Sequence, residues 1–536
     1  MLIPLTRTTE ALTEVALQAT KDHGLIIDFA LGPNQGSGVP AEYDDPGVMW
    51  DLWPFNVSIP LGGSYDEILP GWGTGELVSA STALVIDSTA VQLKAAPAFI
   101  SHTYNGSRFT LDASSLTDVT DQVGEDGSIS LAFPPSANGT EYQLFAYYQN
   151  HTTGFEQQSP LYLNTTVPQS PVMSFLQNGS RFNDHFSATG AQLVIDFWEK
   201  YLLDYNNTRD LIKQVGNYGW EDSMEFGNSI LVWWTPGLID AFEKARGYSI
   251  RKYLPLIYYP NAQSDAPLAS PHWYLTNEND GGQTHVDDYR QTVSTEYICQ
   301  PYLVQQLTNV SQLTELNKIY LETLTKWTQE SLDSQYSAQV VYNLPMDMLA
   351  NVPAVNGPEC ESLGFNHVID AYRQFAGPAN LAGKRVISSE LGAQRNEAYS
   401  QTLPELIWDV KRSIVGSVNN FVSESHLSDC AWADSLGLPC LSILGLLPKH
   451  YLARLHYILL SLLQHARPAT ADVGVLRRLH ELDRPRAIRW SERYSKDRSG
   501  VLAQEERVLR QELTILSERL GFRRLVDISS RPFDQN

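Results

Sequence analysis

Arg385-Val386-Ile387-Ser388-Ser389-Glu390-Leu391-Gly392 opens apolar, ends in two hydroxyls, a carboxylate and a glycine, and lies between two stretches of helical periodicity. Its core, Arg385–Ser389, reads as a strand. Upstream, Val368–Phe375 reads as a helix; downstream, Pro404–Ile414 reads as another, with a strand over Ser417–Val422. The same order precedes it: Ser311–Gln335 puts Leu313, Leu316, Tyr320, Leu324 and Trp327 on one stripe of a long helix, and Ala338–Leu344 follows as a strand. Helices alternating with strands over short connections predict a parallel sheet. With no dinucleotide fingerprint in the chain, a (β/α) barrel is preferred to an open doubly wound sheet.

Toward the start, Glu10–Lys21 carries Leu12, Val15 and Ala16 at helical spacing, and Gly24 ends that helix before the apolar run Leu25–Leu31. Asp28 sits in this run, and the loop Gly32-Pro33-Asn34-Gln35-Gly36-Ser37-Gly38 follows where barrels place substrate contacts. The loop fits neither phosphate-binding pattern. From Val78 to Val167 short β-branched and aromatic runs alternate with turns such as Glu125-Asp126-Gly127, predicting a β-sandwich insertion. Helical periodicity returns over Ala188–Tyr201, and Thr235-Pro236 opens a helix that Gly247 closes. The expected fold class is therefore α/β: an incomplete (β/α)8 TIM-type barrel with a β-sandwich insertion and a helical tail. The expected divisions are 1–77 partial barrel, 78–170 β-rich insertion, 171–422 continued barrel and 423–536 tail.

A net charge of −23 and 12 Trp argue against a nucleic-acid partner and suit a carbohydrate. No apolar run approaches the roughly 20 residues of a membrane span. Asn-X-Ser/Thr acceptors at Asn56, Asn105, Asn138, Asn150, Asn164, Asn178, Asn206 and Asn309 predict a secreted chain, although Met1 is not followed by a signal peptide, so the start reads as truncated. The four cysteines form no metal-spaced cluster, which leaves a Cys299–Cys360 disulfide open.

Glycoside hydrolysis needs one carboxylic acid for the leaving oxygen and a second carboxylate for water or for the sugar itself. Two acids stand at predicted strand ends: Glu225, in Trp220-Glu221-Asp222-Ser223-Met224-Glu225-Phe226, and Glu390. Trp220, Trp233 and Trp234 could stack on a sugar or pack in the core. Glu221 and Asp222 suit support or sugar-hydroxyl contacts better than proton donation. His285-Val286-Asp287-Asp288-Tyr289 lacks a paired His at helical spacing and reads as a solvated loop.

Asp222-Ser223-Met224-Glu225-Phe226-Gly227, then Trp234-Thr235-Pro236, then Arg246-Gly247-Tyr248-Ser249 through Tyr253-Leu254-Pro255 resembles a block of the α-L-rhamnosidases of glycoside hydrolase family 106. Ser249 departs from that family's usual Asp. Ser389-Glu390 is similar to its second acidic motif, and Asp28–Gly36 to its fungal branch. The resemblance covers most of residues 10–422. It implies an inverting hydrolase of terminal α-L-rhamnosyl linkages with Glu225 as general acid and Glu390 as base, and calcium in some members. Asp28, Asn34, Gln35, Trp220, Asp222 and Trp234 are the expected substrate contacts. The alternatives are a secreted sugar-binding protein, which has no use for two acids at distant strand ends, and a pseudoenzyme.

After Val422 the texture changes. Residues 423–536 hold 17 Lys+Arg and 14 Asp+Glu, against 21 and 47 before them, and 15 of the 17 are Arg. Reading the permitted codons of Lys449–Pro485 one base later allows an aromatic, sequon-bearing text in the style of the body. Val422-Ser423 can be encoded as a usual intron start. The tail is therefore expected to be out of frame and the chain as written to lack hydrolase activity.

Overall fold

The computed structural model describes residues 7–32, 38–95, 102–152, 181–223, 234–256, 272–275, 312–340, 347–362, 368–391, 403–423, 474–477 and 525–528. In chain order the body opens with α1 (Arg7–Asp22) and β1 (Ile27–Ala30). A β-rich region follows: β2 (Trp50–Ile59), β3 (Ser64–Ile68), β4 (Glu76–Ala95), β5 (His102–Leu111), β6 (Thr117–Asp118), β7 (Ser128–Ala132) and β8 (Glu141–His151). Then come α2 (Ala188–Phe197), α3 (Thr208–Val215), β9 (Gly216–Glu221), α4 (Leu238–Arg246) and β10 (His272–Leu275). The last part of the body holds α5 (Gln312–Leu332), β11 (Gln335–Ala338), α6 (Met348–Asn351), β12 (Gly357–Glu361), α7 (Ile369–Leu381), β13 (Ser388–Leu391), α8 (Leu403–Val415) and β14 (Asn420–Ser423).

Six strands form one sheet in the order β1-β9-β11-β12-β13-β14, and every neighbouring pair is parallel. The sheet curls as part of a barrel, compatible with an incomplete one. Parallel neighbours need a crossover, and the helices supply it. On α5 the predicted stripe is the buried one: Leu313, Tyr320, Leu324 and Trp327 lie inside. Asp333, at φ 49, turns the chain sharply after this helix, so β11 starts at Gln335, ahead of the expected Ala338. β13 likewise sits later than expected, at Ser388–Leu391. On α1 the predicted face is corrected: Leu12 and Val15 are exposed, and Leu17 enters the core. Gly247 caps α4 in the left-handed region as expected, whereas Thr235 gives its hydroxyl to Asp184 Oδ2 at 2.8 Å and does not cap that helix.

The β-rich region starts at Trp50, inside the stretch assigned above to partial barrel. Its six-stranded sheet has the order β10-β5-β4-β8-β2, with β6 paired to β4 off that path, and the antiparallel pair β3–β7 is separate. Ile59, Leu69, Ile129, Phe133, Leu144 and Tyr148 share one small core in this region. The main core runs through both parts of the body: Leu31, Leu324, Tyr336 and Phe375 belong to one buried cluster with Val78, Val85, Leu111 and Phe145. Beyond Ser423 the described parts are β15 (Gly474–Arg477) and β16 (Leu525–Ile528), a parallel pair where helices were expected. The rest of the tail lies outside the described residues. Cys360 is buried and free, its thiol donating to the Ser388 carbonyl; Cys299 lies outside the described residues.

Candidate active site

Successive residues of a strand face opposite sides of a sheet. On β9, Glu221 turns toward the helices and Trp220 turns away from them. The helix-side group is fully buried: Glu221 Oε1 meets His185 Nε2 at 2.6 Å and accepts from the Tyr320 hydroxyl at 2.9 Å, while Oε2 accepts from the Tyr336 hydroxyl. Asn183 Nδ2 donates to the Tyr320 oxygen at 2.7 Å, and Asn317 Nδ2 donates to the His185 carbonyl at 2.9 Å. Burial is the main cause that pushes both tyrosine hydroxyls far above their ordinary range, with the Glu221 charge adding to it. They are therefore fixed donors.

The opposite face carries the acids. Register pairs Glu359 with Ser388 and Glu361 with Glu390, so these side chains share one side at the carboxyl ends of β12 and β13. Glu359 Oε1 accepts from Trp220 Nε1 at 3.2 Å and from Gln339 Nε2 at 3.2 Å; its Oε2 accepts from the Ser388 hydroxyl at 2.7 Å. Burial raises the Glu359 carboxyl above the ordinary glutamate value, opposed by the bonds from Ser388, Gln339 and Trp220; the negative charge of Asp28 adds to the rise. Gln339 Nε2 also donates to Glu390 Oε2. Glu390 itself is half-buried at the rim.

Of the residues singled out in the sequence, the fold brings Asp28, Trp220 and Glu390 to this face. Asp28 accepts from Asn217 Nδ2 at 2.8 Å and from the Tyr218 N–H at 3.1 Å. Asp222, directly after β9, accepts from the Ser223 N–H at 2.7 Å. Trp234 is not at the face: it is 1% exposed, donates to Gln149 Oε1 at 3.0 Å and bridges to Trp50. Its ring is core packing. Glu225, Asn34, Gln35, Trp233 and the His285–Tyr289 stretch lie outside the described residues. Sequence reasoning missed Gln339 and Glu359. The alternation in Gly357-Pro358-Glu359-Cys360-Glu361, two acids at i and i+2 around a small apolar residue, was the available signal.

Two hydrogen bonds of about 3 Å through one nitrogen put the nearest oxygens of Glu359 and Glu390 within roughly 6 Å of each other. The shared amide joins the two carboxylates, with Glu359 on the buried side and Glu390 at the rim. Among the described residues, no group of three or more His, Cys, Asp or Glu is placed to hold a metal ion.

Among solved structures, the chain is similar to a rhamnosidase from Novosphingobium sp. PP1Y, at 13% identity and a TM-score of 0.47, over 78% of this chain and 50% of that one. The chain spans about half the length of that protein. No protein-family model matches the sequence, and no curated protein matches it.

Proposed function

We propose that this body is the catalytic part of a secreted glycoside hydrolase that cleaves terminal α-L-rhamnosyl linkages of polysaccharides or glycosides with inversion, Glu390 acting as base and Glu225 as general acid. One observation carries the reading. A half-buried carboxylate, Glu390, stands at the carboxyl end of a barrel-type strand, joined through Gln339 to a buried carboxylate that an indole also holds. In an inverting mechanism the partner acid stands about 6.5–9.5 Å away, leaving room for a water. Trp220 offers an aromatic surface for a sugar face. Calcium is the metal that the family resemblance brings, and assay before and after chelation reads its part.

The test compares the 536-residue chain with a version whose codons after Val422 are restored to the shifted frame, each assayed on a panel of aryl glycosides. The restored version is expected to cleave the α-L-rhamnoside and to lose that activity in Glu390→Gln and Glu225→Gln; the chain as written is expected to leave it intact. A folded restored version that binds rhamnose but cleaves no glycoside would replace the hydrolase with a sugar-binding protein or pseudoenzyme. Turnover by the chain as written would overturn the frame-shift reading.

A further inference from the structure

Gln339 directly follows β11 and is 2% exposed. Its backbone N–H donates to the Glu221 carbonyl of β9 at 3.2 Å, and its Nε2 reaches Glu359 of β12 and Glu390 of β13. One residue therefore ties its own strand to three others. A primary amide nitrogen carries two hydrogens, and here each points at a different carboxylate. The amide oxygen could not stand in that position, because it would face two acceptors. Glu359 is held in turn by Trp220 and Ser388. The orientation of the amide is thus set from within the sheet.

We propose that Gln339 is a positioning residue which, anchored by Glu359, fixes the Glu390 carboxylate and favours its ionised form. The role assigned to Glu390 rests on the hydrolase reading above; the contact itself does not. Among the described residues, the titratable groups sharing this face are Asp28 of β1, Tyr218 of β9, Asp222 just after β9, and Glu359 and Glu361 of β12. The acids among them oppose a further negative charge. A hydrogen bond to the charged form works the other way. Without the amide, Glu359 and Glu390 would lose the donor they share, and Glu390 would hold its proton to higher pH.

The experiment uses the full chain labelled with [δ-13C]glutamate, in which the Glu390 signal is the one missing from Glu390→Gln. In Gln339→Met, similar in length but without donors, the titration midpoint of that signal is expected to rise by about one pH unit. Where a version turns over substrate, the acid limb of its kcat/KM profile moves the same way while KM changes little. Adding Glu359→Gln to Gln339→Met should have less than the sum of the single effects, because the two act as one unit. If Gln339→Met fails to fold, Gln339→Asn, which withdraws the amide by one methylene, carries the same test with a smaller rise. An unmoved midpoint in a folded variant overturns the proposal. A moved midpoint together with a folded, frame-restored version that cleaves no glycoside leaves the positioning role standing and removes the hydrolase.

Discussion

His185 Nε2 lies 2.6 Å from Glu221 Oε1, with the side chains 1% and 2% exposed. The other ring nitrogen, Nδ1, faces the Asn183 carbonyl at 2.8 Å, so it carries a hydrogen. Glu221 also accepts from Tyr320 and Tyr336, so one buried carboxyl group holds the imidazole and two phenol hydroxyls together. Removing one member of such a network leaves buried polar groups unpaired. Glu221→Leu is expected to lower unfolding free energy by about 3 kcal/mol, read as a fall in the urea midpoint at unchanged slope. A variant as stable as the parent would show that this network does not hold the fold together.

Glu359 gives a pH dependence of defined sign. Its carboxyl is raised in the folded state, so folding favours the protonated form. That contribution is full below the ordinary glutamate value and is lost as pH rises through the raised one. Glu359→Gln can keep the geometry, with its oxygen accepting from Trp220 and Gln339 and its amide donating to Ser388. Calorimetry should show the variant gaining in Tm over the parent at neutral pH and losing that advantage in acid. A Tm difference that does not vary with pH would count against the raised carboxyl.

Gly127 has φ +82°, and a Cβ there would meet the Trp72 ring at 2.2 Å. Gly127→Ala adds backbone strain to that overlap, and a loss of about 1–3 kcal/mol is expected. Trp72 fluorescence should shift with it, since the ring must move to admit the methyl. An unaltered spectrum with unaltered stability would rule out this close approach.

If the chain passes through the secretory route, its sequons will not behave alike. Asn138 is exposed ahead of β8. Asn150 donates through Nδ2 to the Thr74 carbonyl at 2.8 Å and accepts from the Tyr43 hydroxyl at 3.2 Å, while Thr152 is fully buried. Expression with a signal peptide in a eukaryotic host should give glycopeptides containing Asn138 and unmodified peptides containing Asn150. The reverse occupancy would contradict this packing.

Much of the scaffold was legible because it follows period and punctuation. The stripe on α5, the stop at Gly247 and the turn at Glu125-Asp126-Gly127 are local signals, and each appears in the folded chain. Strand positions slipped by a few residues where a tight turn, as at Asp333, decides the start. Glu390 and Trp220 could be found from their places at strand ends. Gln339 could not, since nothing local separates a glutamine that links two carboxylates from one that faces water. Its role exists only once β11, β12 and β13 lie side by side. Trp234 failed for the complementary reason: an indole beside a motif looks like a sugar platform until its neighbours cover it.

The cluster that joins Leu31 and Phe375 to Val85 and Phe145 also limits how such a chain could be recombined. The long strand β4 belongs to the β-rich layer, yet Val78 and Val85 from it enter the same interior as the half-barrel, and the Ser79 hydroxyl donates to the Arg251 carbonyl at 2.9 Å. The β layer is consequently not an interchangeable cartridge. Excised, it would carry a raw apolar face into solvent and leave its mirror image on the remainder, so a transplant to another scaffold would have to bring the matching wall with it.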